Sequence, residues 1–221
     1  MSRFDLKKKA DRILMTNFKY FFLMFLPYYI LSIISGVTYQ NSSEISIDGS
    51  NHIKVTHNWG MLGSTTIFSI VAGLLMTGIM FVCIDHIRNK AEYNKPFLHS
   101  VTIINNGKYF WGTIFIYILS YIMICLWTLL LIIPGIIKGL AYSQAFYIYR
   151  DAVDKGEHIS YMDAITKSRQ LMDGHKWEFF VLQLSFIGWF LLVGITFGLA
   201  GIYVIPYYRL TIANFYDSLL D

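Results

Sequence analysis

The sequence predicts an all-α polytopic membrane protein with about six transmembrane helices, which form three helical hairpins. Apolar residues make up 55% of the 221 residues and charged residues only 14%, and the mean hydropathy is +0.49. This composition excludes an ordinary soluble domain. The apolar residues lie in four blocks, residues 20–38, 61–84, 110–149 and 179–208. A short pattern also occurs three times, each time just before a long apolar stretch.

The recurring pattern is nine residues long, and each copy contains a lysine followed directly by an aromatic residue. The copies occupy residues 14–22, 103–111 and 171–179. The three pairs are Lys19–Tyr20, Lys108–Tyr109 and Lys176–Trp177. A lysine beside Tyr or Trp is typical of a membrane–water interface, where the amphipathic ring and the long cationic side chain both find partners. The pattern predicts three membrane units, each entered from the same side.

The lengths of the apolar blocks indicate where the chain turns back. Residues 110–149 contain one charge, Lys138. As a single helix this block is about 60 Å long, twice the roughly 30 Å of a hydrocarbon core. We therefore expect a turn at Pro134–Gly135. In the last block Gly198, Gly201 and Pro206 are candidate turn residues, and we favour the glycines.

The chain is predicted to form one membrane domain, residues 1–221, composed of three hairpin units. The units are residues 1–88, 94–151 and 158–221, and residues 39–60 form a loop on the outer side of the membrane. Alternation of apolar and polar residues on both sides of Asp48–Gly49 predicts a small extracellular β-hairpin in this loop. A disordered polar linker is the alternative.

Each hairpin is preceded by a short amphipathic stretch on the cytoplasmic side. Ser2 with Asp5 and Ser160 with Asp163 have the spacing of a capping box, and Pro96 suits a first helical turn. The apolar faces consist of Leu6, Ala10, Ile13 and Leu14, of Phe97, Val101 and Ile104, and of Tyr161, Ile165, Ser168 and Met172. We expect these helices to lie flat on the cytoplasmic leaflet. The alternative is that they pack on the membrane helices of the protein itself.

The distribution of cations predicts the orientation. Fifteen of the 18 Lys and Arg residues lie in residues 1–19, 85–109 and 150–177, whereas residues 39–60 contain only Lys54. The positive-inside rule makes the first three segments cytoplasmic, so both termini are predicted to be cytoplasmic. This clustering explains the net charge of +4 without a nucleic-acid partner.

Lys138 and Arg209 are the two cations well inside apolar blocks. A charge at the bilayer centre costs about 2.5–3.5 kcal/mol on insertion scales, so such residues lie near an interface or have a function. Lys138 is predicted to extend to the headgroups. For Arg209 the sequence favours packing inside the bundle. Contact of either residue with a lipid phosphate is the functional alternative.

No catalytic residue, metal ligand or cofactor site is predicted. The six histidines and two cysteines have no metal-ligand or nucleophile spacing. Asp85–His86 could form an acid/base pair, but polar residues at a helix end are the simpler interpretation. Because the spans contain no Asp or Glu except Asp85 and Glu178 at their cytoplasmic ends, ion-coupled transport is disfavoured.

Three stretches in the second half of the chain are similar to a known family. They are residues 131–151 (LIIPGIIKGLAYSQAFYIYRD), 164–192 (AITKSRQLMDGHKWEFFVLQLSFIGWFLL) and 205–217 (IPYYRLTIANFYD). These stretches resemble the domain-of-unknown-function nine-seven-five family of uncharacterised integral membrane proteins, common in Gram-positive bacteria. The resemblance implies a location in the bacterial plasma membrane, and it implies no activity, substrate or site residues.

The sequence favours a non-enzymatic protein that acts by binding, as an accessory subunit, a scaffold or an envelope-protection factor. Expected partners are the lipid bilayer, anionic lipids in particular, and an unidentified membrane protein. The alternative is a small permease or lipid translocator with a path near Arg209.

Overall fold

The computed structural model describes residues 2–47, 53–105 and 107–220. In these ranges the chain forms twelve α-helices and one two-stranded antiparallel sheet. The elements of the first half are α1 (Arg3–Thr16), α2 (Phe18–Gln40), β1 (Ser43–Ile47), β2 (Ile53–His57), α3 (Trp59–Ile87), α4 (Pro96–Ser100) and α5 (Thr102–Asn105). Those of the second half are α6 (Phe110–Leu130), α7 (Ile132–Tyr142), α8 (Ala145–Asp154), α9 (Tyr161–Leu171), α10 (Lys176–Leu184), α11 (Ile187–Ile195) and α12 (Gly201–Ser218).

Four helical segments in the described ranges are long and apolar enough to cross a membrane. They are Phe18–Gln40, Trp59–Ile87, Phe110–Leu129 and Lys176–Ile195, the last of which combines α10 and α11. These segments fall in the four apolar blocks of the sequence. The predicted membrane character of the fold is therefore confirmed at the level of helix length and composition.

Helices α2 and α3 pack antiparallel along their length. At one end the Tyr20 hydroxyl lies 3.0 Å from His86 Nε2, and towards the other end the Ser35 and Ser69 hydroxyls are 2.8 Å apart. Between β1 and β2, five residue pairs run from Ser43 opposite His57 to Ile47 opposite Ile53. The strands lie in the loop for which a β-hairpin was the favoured prediction. The predicted turn at Asp48–Gly49 lies outside the described residues.

The turn in the second unit differs from the prediction. The chain leaves the helical conformation at Leu131, with φ −160° and ψ 141°, so the break precedes Pro134–Gly135 by three residues. Pro134 lies in the first turn of α7, where its missing N–H costs nothing because the first amides of a helix have no helical partner. Gly135 has a different role. It allows α7 to approach α6 closely at Thr128.

The third unit turns between α11 and α12. Residues 196–200 form this turn, and both Phe197 (φ +50°) and Gly198 (φ +92°) are in the left-handed region. The Gly198 amide donates a hydrogen bond to the Val193 carbonyl at 2.8 Å, which closes the end of α11. Gly201 begins α12, and Pro206 lies buried within that helix rather than at a turn.

The short helices that precede the first and third units pack on the protein itself. The Ser2–Asp5 capping box of α1 is present, and Leu6, Ala10 and Leu14 are fully buried, largely against α12. The apolar face of α9 is likewise buried against α6, α7 and α8, and Ser168 Oγ donates to the Ala141 carbonyl at 2.8 Å. The expectation that these faces lie on the leaflet was therefore wrong for α1 and α9. Packing against the helices of the protein itself was the correct alternative. An apolar helix face can be buried by another helix as well as by lipid, so amphipathicity alone does not distinguish the two.

The main core lies where α1, α2, α3, α8, α10 and α12 meet. Its largest fully buried side chains are aromatic and include Phe21, Phe25, Tyr147, Phe179, Phe186, Phe215 and Tyr216. By contrast, α6, α7 and α11 expose large apolar side chains over most of their lengths. Exposed apolar faces of this extent are expected where lipid is the surrounding solvent.

Replacing Gly135 by Ala should destabilise the contact between α6 and α7. The added methyl group would lie 2.9 Å from Thr128 Cα, which is backbone and cannot rotate away. We expect a loss of about 1–3 kcal/mol, the usual cost of overpacking, measured as a lower melting temperature in detergent. Gly139→Ala, in the same helix, is the matched control because no atom lies within 4 Å of its added methyl group. Equal melting of the two variants would contradict the close approach at Gly135.

Candidate functional site

A network of ion pairs joins the ends of three helices from different units. We call it the charge cluster. Its members are Asp85, Arg88, Lys108, Arg150, Asp151, Asp154 and Asp217. Asp85 and Arg88 lie at the end of α3, Arg150, Asp151 and Asp154 in α8, and Asp217 at the end of α12. Asp85, which the sequence indicates to be a polar residue at a helix end, therefore pairs with a cation of another helix, Arg150 of α8.

Arg88 is the centre of the charge cluster. Its Nη1 and Nη2 atoms donate to the two carboxylate oxygens of Asp151 at 2.8 and 2.9 Å, and its Nε donates to Asp217 at 2.8 Å. The Arg88 and Asp151 side chains are each only 15% exposed. Burial by itself lowers the pKa of Arg88, but the hydrogen bonds to both carboxylates outweigh it, so the pKa lies above its usual value. The guanidinium stays charged and fixes both partners through its planar fork.

Arg150 holds the other half of the charge cluster. Its guanidinium pairs with Asp85 and lies 3.3 Å from Asp154 and 3.5 Å from Asp151. Lys108 is 3.6 Å from Asp154. All four carboxylates therefore have a cationic partner, and three cations face four anions. Such a set of ion pairs connects the ends of α3, α8 and α12.

Tyrosines complete the polar contacts around the charge cluster. The Tyr216 hydroxyl donates to Asp151 at 2.9 Å, and the Tyr109 hydroxyl donates to Asp154. Burial and the hydrogen bond to the Asp154 carboxylate raise the pKa of Tyr109, so its phenol keeps the proton that it donates. The Tyr216 ring stacks on Tyr147, with centroids 4.9 Å apart and an interplanar angle of 16°.

A second polar group lies between α2, α3 and α4, and we call it the histidine–tyrosine cluster. The Tyr20 hydroxyl bonds to His86 Nε2 and to His99 Nδ1, and Tyr93 stacks on His86 at 4.4 Å. Burial lowers the pKa of His99 and raises that of Tyr93, so both groups are neutral near pH 7. A phenol has one proton, so one of the two imidazoles must present an N–H to it.

Asp85 and His86 are neighbours in sequence but have different partners. Asp85 binds Arg150, whereas His86 binds Tyr20. Among the described residues, no three side chains of His, Cys, Asp or Glu are placed to hold a metal ion. The charge cluster and the histidine–tyrosine cluster therefore both connect helices to one another.

The aromatic residues of the three-fold pattern do not share one environment. Tyr20 and Tyr109 are both only 7% exposed and point inward to hydrogen-bond partners. Their role as interface anchors stays a prediction. Trp177 is 72% exposed, as an interface anchor would be. Both tyrosines instead bind a polar side chain at or near the end of the second arm of their own unit, His86 and Asp154.

The lysines of the pattern also differ. Lys19 is exposed, Lys108 lies near Asp154 in the charge cluster, and Lys176 Nζ is 2.8 Å from Asp173. A Lys–Tyr pair can bind a carboxylate of the protein as well as a lipid headgroup. The sequence alone therefore could not show which of these partners each pair has.

Arg209 and Lys138 contact different helices. Lys138 Nζ lies 4.4 Å from the centroid of the Trp127 ring, a cation–π contact between α7 and α6. Arg209 Nη1 lies 3.4 Å from Met80 Sδ, and the guanidinium carbon is 5.7 Å from the Tyr208 ring centroid. Within the described part of the chain, no carboxylate lies within 4.0 Å of the Arg209 guanidinium.

Arg88 and Tyr216 were not singled out from the sequence. A usable signal does exist, because Asp85, Asp151 and Asp217 follow one another at equal intervals along the chain, each at the end of an apolar helix. Three carboxylates at equivalent positions require cationic partners, and Arg88 is the cation closest in sequence to the first of them. Pairing across units could have been inferred from that requirement.

Removing the guanidinium of Arg88 should destabilise the whole bundle. Arg88→Gln leaves Asp151 and Asp217 without their main cation, and breaking a buried pair costs about 3–5 kcal/mol, with the lower end expected at this partial exposure. The melting temperature of Arg88→Lys should lie between those of the wild type and Arg88→Gln, because lysine keeps the positive charge but lacks the planar guanidinium that binds two carboxylates. Melting in detergent measures both, and exposed Lys90→Gln is the control. Wild-type melting of Arg88→Gln would exclude a central role for this residue.

Comparison with known proteins gives one family. Residues 128–221, from the end of α6 through α12, match the sequence profile of a family described as "Protein of unknown function (DUF975)". No curated protein and no solved structure matches the chain. The matched segment contains Arg150, Asp151, Asp217 and Arg209, but not Asp85 or Arg88. The resemblance predicted from the sequence is thus confirmed for residues 128–221, which match the model of this family of proteins of unknown function.

Proposed function

We propose that this is a non-enzymatic integral membrane protein of the bacterial plasma membrane that acts by binding. Its role would be that of an accessory subunit, scaffold or envelope-protection factor, attached on its cytoplasmic side to anionic lipid. One observation carries this proposal. The carboxylates of the charge cluster all form ion pairs within the protein, whereas the exposed cations of α1 form none in the described ranges and can bind an external anion.

The surface of α1 supports lipid attachment. Arg3, Lys8 and Arg12 are exposed, and no carboxylate in the described ranges lies within ion-pair distance of them. Lys19 is exposed just beyond the helix. Because the apolar face of α1 is buried against α12, these cations are held on a fixed support instead of a mobile tail. Each Lys or Arg near an anionic leaflet contributes about 1 kcal/mol to attraction.

The proposed topology has six crossings, with both termini and residues 88–109 and 155–175 in the cytoplasm. Support comes from the charge cluster, because α3, α8 and α12 end together there. Tyr109, just before α6, binds Asp154 at the end of α8, so the second unit leaves and returns to one side. In the third unit, the rings of Phe179 and Phe215 lie 4.9 Å apart near the start of α10 and the end of α12.

The same placement supports three related units. In each unit an apolar arm leaves the shared end of the bundle, and the returning arm brings back an aspartate, Asp85, Asp151 or Asp217. In this proposal the Lys–aromatic pattern marks where each outward arm begins. A scaffold function follows naturally from such a bundle, whose parts are held in fixed relation by ion pairs.

Cysteine labelling distinguishes six crossings from four. If only the four long segments crossed, residue 157 would lie outside; with six crossings it is cytoplasmic. We expect Ser43→Cys to react with an impermeant thiol reagent in intact cells, and Glu157→Cys to react only after permeabilisation. The background carries Cys83→Ala and Cys125→Ser, and Ser2→Cys serves as the cytoplasmic reference. Labelling of Glu157→Cys in intact cells would overturn the six-crossing topology.

Lipid attachment predicts a stability difference between membranes. Ligands that bind only the folded state raise its stability, so the wild type should melt higher in nanodiscs with anionic lipid than in zwitterionic ones. Neutralising α1 with Arg3→Gln, Lys8→Gln and Arg12→Gln should remove most of this difference, and added salt should reduce it.

The control for that experiment preserves charge while changing side chains, with Arg3→Lys, Lys8→Arg and Arg12→Lys. It should keep the preference for anionic lipid. A wild type with no such preference, or a neutralised variant that retains all of it, would refute attachment through α1.

A further inference from the structure

Arg209 is a partly buried cation whose anionic partner is missing from the described part of the protein. Arg88 and Arg150 are each satisfied by carboxylates. Arg209 instead has the sulfur of Met80 at 3.4 Å, a weak acceptor, and the Tyr208 ring. Its Nε atom is buried and has no hydrogen-bond partner. A guanidinium left in this state is costly unless an acceptor joins it.

A second unpartnered group lies in the same region. Tyr147 is 0% exposed, and its hydroxyl has no hydrogen-bond partner. Tyr147 lies in the same buried cluster as Met80 of α3, the residue that the Arg209 guanidinium contacts. Tyr147 belongs to α8 and Arg209 to α12. Tyr147 and Arg209 thus supply one O–H donor and one N–H donor that have no acceptor in the described ranges.

We propose that Arg209 and Tyr147 bind a phosphate group between α3, α8 and α12. A phosphate offers several oxygens, so the guanidinium can bind two of them through Nε and Nη while the Tyr147 hydroxyl donates to another. Its negative charge also neutralises the cation that the protein leaves unpaired. This inference rests on the proposed binding function and deepens it by naming the chemical group bound.

Two sources can supply this group, a phospholipid headgroup and free inorganic phosphate. A lipid source is consistent with the surroundings, because Arg209 lies one residue from Tyr208, which packs on Phe186 and Phe190 of the apolar third unit. The shared chemistry is a phosphate oxyanion, and the experiment separates the two sources by their acyl chains.

The test compares ligands on purified, delipidated full-length protein. Affinity is measured from melting shifts and from native mass spectrometry with short-chain phosphatidic acid, with the matching diacylglycerol, which lacks phosphate, and with inorganic phosphate against chloride at equal ionic strength. We expect binding of phosphatidic acid and none of diacylglycerol. Stabilisation by inorganic phosphate at comparable concentration would assign the site to the free ion.

The variants assign the binding to Arg209 and Tyr147. Hydrogen bonds to charged groups correspond to roughly 10- to 100-fold in affinity, so Arg209→Gln should lose at least that much and Arg209→Lys about 10-fold. Lys138→Gln is the control, since that cation is satisfied by Trp127, and it should bind as the wild type does.

Tyr147→Phe keeps the inference testable even if Arg209→Gln fails to fold. The change removes only a buried hydroxyl without a partner, so the ligand-free variant should melt at or above the wild-type temperature while its phosphate affinity falls about 10-fold. Unchanged affinity in Tyr147→Phe and Arg209→Lys, or equal binding of diacylglycerol, would overturn the site. Loss of the anionic-lipid preference in the neutralised α1 variant, with phosphate affinity retained, would show that the two functions are separate.

Discussion

The architecture depends on one guanidinium. Arg88 joins the end of α3 to Asp151 of α8 and Asp217 of α12, so a single side chain connects the three helices that return to the same end of the bundle. Lipid-facing helices gain no hydrophobic free energy from association within the bilayer. Ion pairs at the helix ends, packing of small residues and the aromatic core must therefore hold the units together. Among the ion pairs of the described residues, those of Arg88 are the ones that join all three units.

The sequence predicted the helices better than the contacts between them. Hydropathy located the four long apolar segments because the requirement to satisfy backbone groups in lipid leaves little choice but a helix. It misplaced the break near Pro134, since a proline is accepted in a first helical turn and so marks the start of α7 instead of the turn itself. Likewise, the amphipathic stripe of α1 could not reveal whether lipid or α12 covers it.

The candidate site was accessible to sequence reasoning only in part. The depth of Arg209 in an apolar block indicated a residue with an unusual environment, and its lack of an acidic neighbour in sequence was already visible. The absence of a carboxylate in space and the unpartnered hydroxyl of Tyr147 depend on how α8 and α12 meet α3, which periodicity cannot specify. For Tyr20 and Tyr109 the sequence showed the amphipathic ring but not which side of the helix it faces.

The Arg88 contacts also set an order of events during synthesis. Asp217 follows Arg88 by 129 residues, so at about 5–20 residues per second its last partner is made roughly 6–26 s later. The arginine gains its first carboxylate partner when Asp151 is translated, 63 residues after Arg88, and its second only with Asp217. Before then this guanidinium cannot join α3 to α12. Assembly of the bundle is consequently a late step, completed only when the final helix arrives.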